Sequence, residues 1–154
     1  MVAPAPRATL APMASSAAAQ PVRVFLVGVA EGVARSLARY VSGDERIALT
    51  GVAPSLALAG LLLPATTADL LLIDWSAIDG APGGTLQALR RACPGLRVVC
   101  LADEPEPYRA SAVQAGADAV ISKEGLAGGL EALLPVFFPA RFAAPGDRHE
   151  NRMA

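Results

Sequence analysis

The chain has 154 residues, 53% of them hydrophobic, with 13 basic and 14 acidic side chains. This length fits one domain with tails and a sizeable core. Balanced charge excludes the clustered Lys and Arg of a nucleic-acid footprint, and no apolar run spans a bilayer, the nearest being Leu56 to Leu63 before Pro64.

Two cysteines, Cys93 and Cys100, make no disulfide framework and read as small buried hydrophobes in a reducing, cytoplasmic setting. The single histidine, His149, lies in a polar tail. Neither a zinc site nor a Ser-His-Asp triad therefore has its parts. Residues 1–20 are rich in Ala, Pro and Ser without periodicity and read as a disordered leader. Pro4, Pro6 and Pro12 interrupt that leader, and it lacks the apolar core of a secretion signal.

Val22 to Val29 is the first expected strand, with Gly28 near its end. Glu31 to Ser42 places Val33, Leu37 and Val41 on one helical face, with Ala34 and Ala38 beside them. Gly43-Asp44 is a turn, and Ile47 to Val52 a second strand. Pro54 to Leu63 reads as a helix with proline in its first turn.

Leu70 to Ile73 is a continuous apolar run that ends at Asp74, before a loop closing on Asp79-Gly80. Such a run fits a strand buried on both faces. In open α/β sheets, binding chemistry collects at the carboxyl ends of strands. Asp74 is therefore either a functional acid or a loop residue whose side chain bonds nearby backbone.

Thr85 to Ala92 is a third helix, stopped by Pro94-Gly95, and Val98 to Leu101 a fourth strand. An acidic, proline-stiffened loop over 103–107 leads into a short fourth helix, Tyr108 to Ala115, closed by Gly116. Ala119 to Ser122 is the fifth strand, with Lys123 at its end. Leu126 to Leu134 is the fifth helix, ended by Pro135 and Pro139. Its only charge is Glu131, and Val136-Phe137-Phe138 either forms a partner surface or folds back over the core.

Five strands alternating with five helices predict a flavodoxin-like (βα)5 three-layer sandwich, with a parallel sheet in the order 2-1-3-4-5. The ordered domain spans 21–138, and 139–154 is expected to be a flexible tail. Asp74, the loop after the first strand and Lys123 would share one crevice.

Over Val22 to Leu134 the chain resembles a response-regulator receiver domain of two-component signalling. The residues that carry this are Asp74 in LLLIDWSAIDG, the turn Gly116-Ala117-Asp118 and the pair Ser122-Lys123. The style is similar to receivers that precede a helix-turn-helix output domain. The resemblance implies that Asp74 is the phosphoacceptor and Lys123 its phosphoryl-pairing lysine.

The other family positions depart from the pattern. The Mg²⁺-binding acid pair falls on Gly28 and Val29, the hydroxyl on Ala102 and the aromatic switch on Val120. The backbone of Ser76 would be the other metal contact, and Glu31 could swing in. Mg²⁺ is a hard cation held through carboxylates, so losing two of three leaves at most weak binding.

The sequence thus reads as an atypical, stand-alone receiver and not an enzyme. It would bind a signalling protein or histidine kinase, and neither nucleic acid nor membrane. A homodimer through the fourth helix, fifth strand and fifth helix is a further expectation. Only 20 residues follow Leu134, too few for an output domain. Two other readings stay open. One is a working phosphoacceptor on Asp74. The other is a flavodoxin-like cofactor or nucleotide domain, hinted at by the loop Gly28 to Gly32.

Overall fold

The structure is a computed structural model that describes residues 20–79 and 84–142. The leader through residue 19, Gly80 of the expected Asp79-Gly80 turn, His149 and the chain beyond Phe142 lie outside those residues.

Five parallel strands form one sheet in the order β2-β1-β3-β4-β5. They are β1 Val22–Val27, β2 Ile47–Ala53, β3 Leu70–Asp74, β4 Arg97–Ala102 and β5 Ala119–Ser122. β3 is central and buried along its whole length, as its unbroken apolar run requires. The helices are α1 Glu31–Ser42, α2 Leu56–Thr66, α3 Trp75–Asp79, α4 Thr85–Ala92, α5 Pro105–Ala115, α6 Leu126–Phe137 and α7 Pro139–Phe142.

Two cores sandwich the sheet. One packs Leu56, Ala59 and Leu63 of α2, Ile78 of α3, Leu86 and Leu89 of α4 and Ala112 of α5 on Phe25, Val27, Leu71 and Ile73. The other packs Leu37 of α1 and Leu126, Leu130 and Leu134 of α6 on Val24, Leu26, Leu70 and Leu72. Residues alternate between the two cores along β1 and β3, as the strand period demands. This is the expected flavodoxin-like three-layer architecture.

Proline accounts for most of the boundary differences. α2 begins at Leu56, not Pro54, because the Ser55 hydroxyl accepts the Leu58 N–H and caps the helix. It also runs through Pro64 to Thr66. α5 begins at Pro105, so the expected loop over 103–107 is mostly its first turn, where a missing N–H costs nothing. α6 continues through Pro135 to Phe137. Apolar packing of Leu63 and Leu134 against the sheet holds these proline-bearing turns helical.

The flexible tail does not begin at 139. α7 packs its Phe142 against the second core, and the Arg141 guanidinium lies 2.9 Å from Asp69 Oδ2. Phe137 and Phe138 are half-buried against that core, folding back as one of the two expectations had it, while Val136 stays exposed. Arginines cover these rings, with Arg97 over Phe137, Arg141 over Phe138 and Arg46 over Phe142.

Candidate functional site

The carboxyl ends of β3, β4 and β5 converge on one cleft, and the loop after β1, expected to share it, is not among its lining residues. Asp74 closes β3, Ala102 closes β4, and Lys123 follows β5. The Lys123 N–H donates to the Ala102 carbonyl at 3.0 Å and fixes where that side chain starts. The cleft has a volume of about 250 Å³, and its lining includes Asp74, Trp75, Ala102, Asp103, Tyr108 and Lys123.

Lys123 Nζ lies 2.6 Å from Asp74 Oδ2. The other oxygen, Oδ1, accepts the Ser76 N–H at 2.9 Å and the Ser76 hydroxyl at 2.8 Å. One Asp74 oxygen thus bonds the nearby backbone, as the second reading of its sequence position expects, and the other faces the lysine. Ser76 contributes its hydroxyl as well as its backbone. The sequence signal was a serine two residues after an aspartate, which favours a local turn.

Asp74 is 6% exposed and is the only buried charged residue among the described ones. Burial pushes its carboxyl up, but bonds from Lys123 and from the Ser76 N–H and hydroxyl outweigh that and hold it below the usual carboxylate range. The bond to Asp74 pushes Lys123 up, with Asp103 adding to it at 3.8 Å. Both partners are charged at neutral pH. Cys100, beneath them on β4, is pushed up to about 12 by burial and by the Asp74 charge, so it is a neutral core thiol. Cys93 is also a free thiol, half-buried near the end of α4.

The positions that depart from the receiver pattern are filled as well as substituted. Gly28 has φ +66°, and a Cβ there would lie 2.8 Å from the Ala77 Cβ. Val29 packs against the second core. Glu31 is exposed and pairs with Arg35 at 3.3 Å along α1. Ala102 and Val120 are both buried in the first core. Among the described residues, no group of three His, Cys, Asp or Glu could hold a metal. The space between the Asp74 and Asp103 carboxylates holds the Lys123 ammonium. The residues present therefore do not fit the Mg²⁺ that the receiver resemblance implies.

One contact was beyond sequence reasoning. Trp75 stacks on Tyr108 with ring centroids 5.3 Å apart and planes 29° apart. Tyr108 stands in α5, so this stack joins the start of α3, directly after Asp74, to the helix on the far wall of the cleft.

No protein-family model and no curated protein matches the chain. Solved structures do. The signal receiver domain of the response regulator NarL from Mycobacterium tuberculosis is 24% identical, with TM-score 0.64, over 77% of this chain and 97% of that one. CheY6 of R. sphaeroides, in a complex with the P1 domain of CheA3, is 19% identical, with TM-score 0.61, over 75% and 98%. RcsB of Salmonella enterica, bound to a promoter, is 19% identical, with TM-score 0.62, over 75% of this chain but 59% of that one. The chain has the fold of response-regulator receiver domains. Among the described residues, no helix is long and apolar enough to cross a membrane.

Proposed function

We propose that this chain is a receiver-like module of two-component signalling that works by binding another protein, with its acid pocket held in one fixed state. The observation that carries the proposal is the 2.6 Å contact between Lys123 and Asp74, in a pocket without the metal-holding acids. Phosphoryl transfer relies on positioning and charge neutralisation. Among the described residues the one cation on Asp74 is already bound to it, and Asp103 adds a negative charge 3.8 Å from that cation. Ala102 offers no donor and Val120 no ring, so the usual relay toward α5 and β5 has no parts.

In this reading the chain is a cytoplasmic binding module and not an enzyme. It uses no cofactor and contacts neither nucleic acid nor membrane. Its partner is a signalling protein or a histidine kinase. The complex of CheY6 with a kinase P1 domain supports a partner of that kind.

Intact mass after incubation with acetyl phosphate and magnesium tests the proposal. The expected result is unmodified protein, together with equal partner capture before and after treatment. A stable phosphoryl adduct on Asp74 would instead establish the chain as a working phosphoacceptor. A purified protein carrying a flavin or nucleotide would overturn both.

A further inference from the structure

A second cavity lies at the amino-terminal end of the sheet, bordered by the end of α1, the turn into β2, α6 and α7. Its volume is about 510 Å³, against about 250 Å³ for the cleft at Asp74. Tyr40, Asp44, Arg46, Glu131, Pro135 and Phe142 line it. Two of its charges cancel, because Arg46 Nε and Nη2 donate to the two Asp44 carboxylate oxygens at 3.0 and 2.9 Å. The same guanidinium lies over the Phe142 ring, 4.6 Å from its centroid, and holds α7 as a wall of the cavity. Glu131 is the only charged residue of α6. Among the described residues, neither its carboxylate nor the Tyr40 hydroxyl has a hydrogen bond or an ion pair.

With Asp44 and Arg46 matched, the cavity keeps the Glu131 charge. Burial, then the Glu131 and Asp44 charges, push the Tyr40 hydroxyl up against the opposing pull of Arg46, so this hydroxyl sits protonated in a negative field. Glu131 contributes least of the groups acting on Arg46 and is not that guanidinium's partner. These facts sort the occupants. A hard metal ion needs several carboxylates, and no group of three His, Cys, Asp or Glu stands together among the described residues. An anion would meet an unmatched carboxylate. A cation with an apolar body matches the whole lining, its charge meeting Glu131 and the Tyr40 oxygen, its body meeting the rings of Tyr40, Pro135 and Phe142.

We infer that this cavity is a binding site for a small organic ammonium ion, a primary amine carried on an aromatic body. Its volume falls within the roughly 300–1,000 Å³ of small-molecule pockets. Two aromatic walls favour a ring over the bare alkyl stem of a lysine side chain. The cavity shares no lining residue with the cleft at Asp74, so the inference does not rest on the reading of that pair. Glu131 is exposed, and an exposed charge contributes modestly. Binding is therefore weak, in the millimolar range.

Amide shifts of the full chain, followed by NMR during titration with 2-phenylethylammonium chloride into the tens of millimolar, test the inference. Saturable shifts are expected at Tyr40, Gly43, Asp44 and Glu131, and not at Ser76, Asp103 or Lys123 of the acid cleft. The carboxylate analogue 3-phenylpropanoate, with the same ring and the opposite charge, should give none. Glu131→Gln should weaken the amine about fivefold, while Glu124→Gln, outside the cavity, leaves it unchanged. Glu131 is exposed, so its variant should keep the wild-type spectrum before titration. Nα-acetyl-lysinamide carries the same ammonium without a ring and should bind more weakly, and equal affinity would overturn the choice of a free aromatic amine. No saturable shift, shifts centred on the acid cleft, equal shifts with 3-phenylpropanoate, or an affinity untouched by Glu131→Gln would overturn the site itself.

Discussion

Trp75 lies flat against Tyr108, 5.3 Å between ring centroids, and so joins the residue after Asp74 to helix α5. Trp75 is the only tryptophan in the chain, so its emission reports on this one contact. Tyr108→Ala removes the stacking partner and opens that side of the ring to water. A red-shifted emission maximum and faster quenching by acrylamide are expected, with a stability loss of about 1 kcal/mol. Emission identical to wild type would mean that other residues, not Tyr108, shield the indole.

The Asp74–Lys123 pair is asymmetric, and that gives an ordering of variants. Asp74 is buried, whereas the Lys123 side chain is 23% exposed and has Asp103 as a second neighbour. Lys123→Met strands a buried carboxylate with only the Ser76 donors. Asp74→Asn leaves a lysine that can turn to solvent. Stranding the charge is the costlier change, about 2 kcal/mol against about 1 for the amide. Urea unfolding of both variants checks this. Equal stability of Asp74→Asn and wild type, with equal partner binding, would refute the standing pair.

The same pair predicts a pH profile. Asp74 is held below its ordinary value, so its contribution is present above the unfolded carboxyl value of about 3.9 and fades as pH falls through the folded one. Lys123 is raised, so its contribution is present below about 10.4 and fades as pH rises through its folded value. The stability difference between wild type and Lys123→Met should therefore be flat from about pH 5 to pH 9 and shrink at both extremes. A difference that changes across neutral pH would point to some other group.

Much of this was legible in the sequence, and the failures have physical causes. The endpoints of α1, α4 and β5 match their expected ranges because periodicity and turn residues agree there. α3 reads as loop from the sequence, since five residues are too few to show a helical period. Pro64 and Pro135 read as stops, but packing of the apolar residues beside them overrides the local signal. Asp74 and Lys123 were legible because each ends an apolar strand. The Ser76 bond has only a local signal, a serine two residues after an aspartate, and the Asp103 neighbour and the stacking of Tyr108 on Trp75 depend on tertiary packing that no sequence period encodes.

The closed position at Gly28 is open to a direct test. Gly28 sits in the left-handed region, and the Ala77 methyl occupies the space its Cβ would need. Gly28→Asp, which would restore one acid of the family pattern, combines a disfavoured backbone with this contact. A loss of about 2 kcal/mol is expected. Ala77→Gly removes the methyl, so in a double-mutant cycle the second change should recover at least half of the loss despite the usual cost of glycine in a helix. Strict additivity of the two changes would show that the backbone angle alone, and not Ala77, keeps the position closed.

At the opposite end of the sheet, the Gly116-Ala117-Asp118 turn has a mechanical role. The Asp118 N–H donates to the Val98 carbonyl at 2.7 Å, and its carboxylate accepts the Val98 N–H at 2.8 Å. The Arg90 guanidinium lies 2.8 Å from the same carboxylate oxygen and also bonds the Gly116 carbonyl. One side chain thus locks the start of β5 to β4 and to α4. Asp118→Asn keeps an acceptor for Val98 but loses the charge facing Arg90. Asp118→Ala leaves both donors without it. With these groups partly screened by solvent, losses of about 1 kcal/mol and about 2 kcal/mol are expected, in that order. Hydrogen exchange at the Val98 amide separates the two causes. Alanine should expose that amide while asparagine protects it, and equal exchange in both variants would mean that the arginine contact, rather than the strand bond, carries the lock.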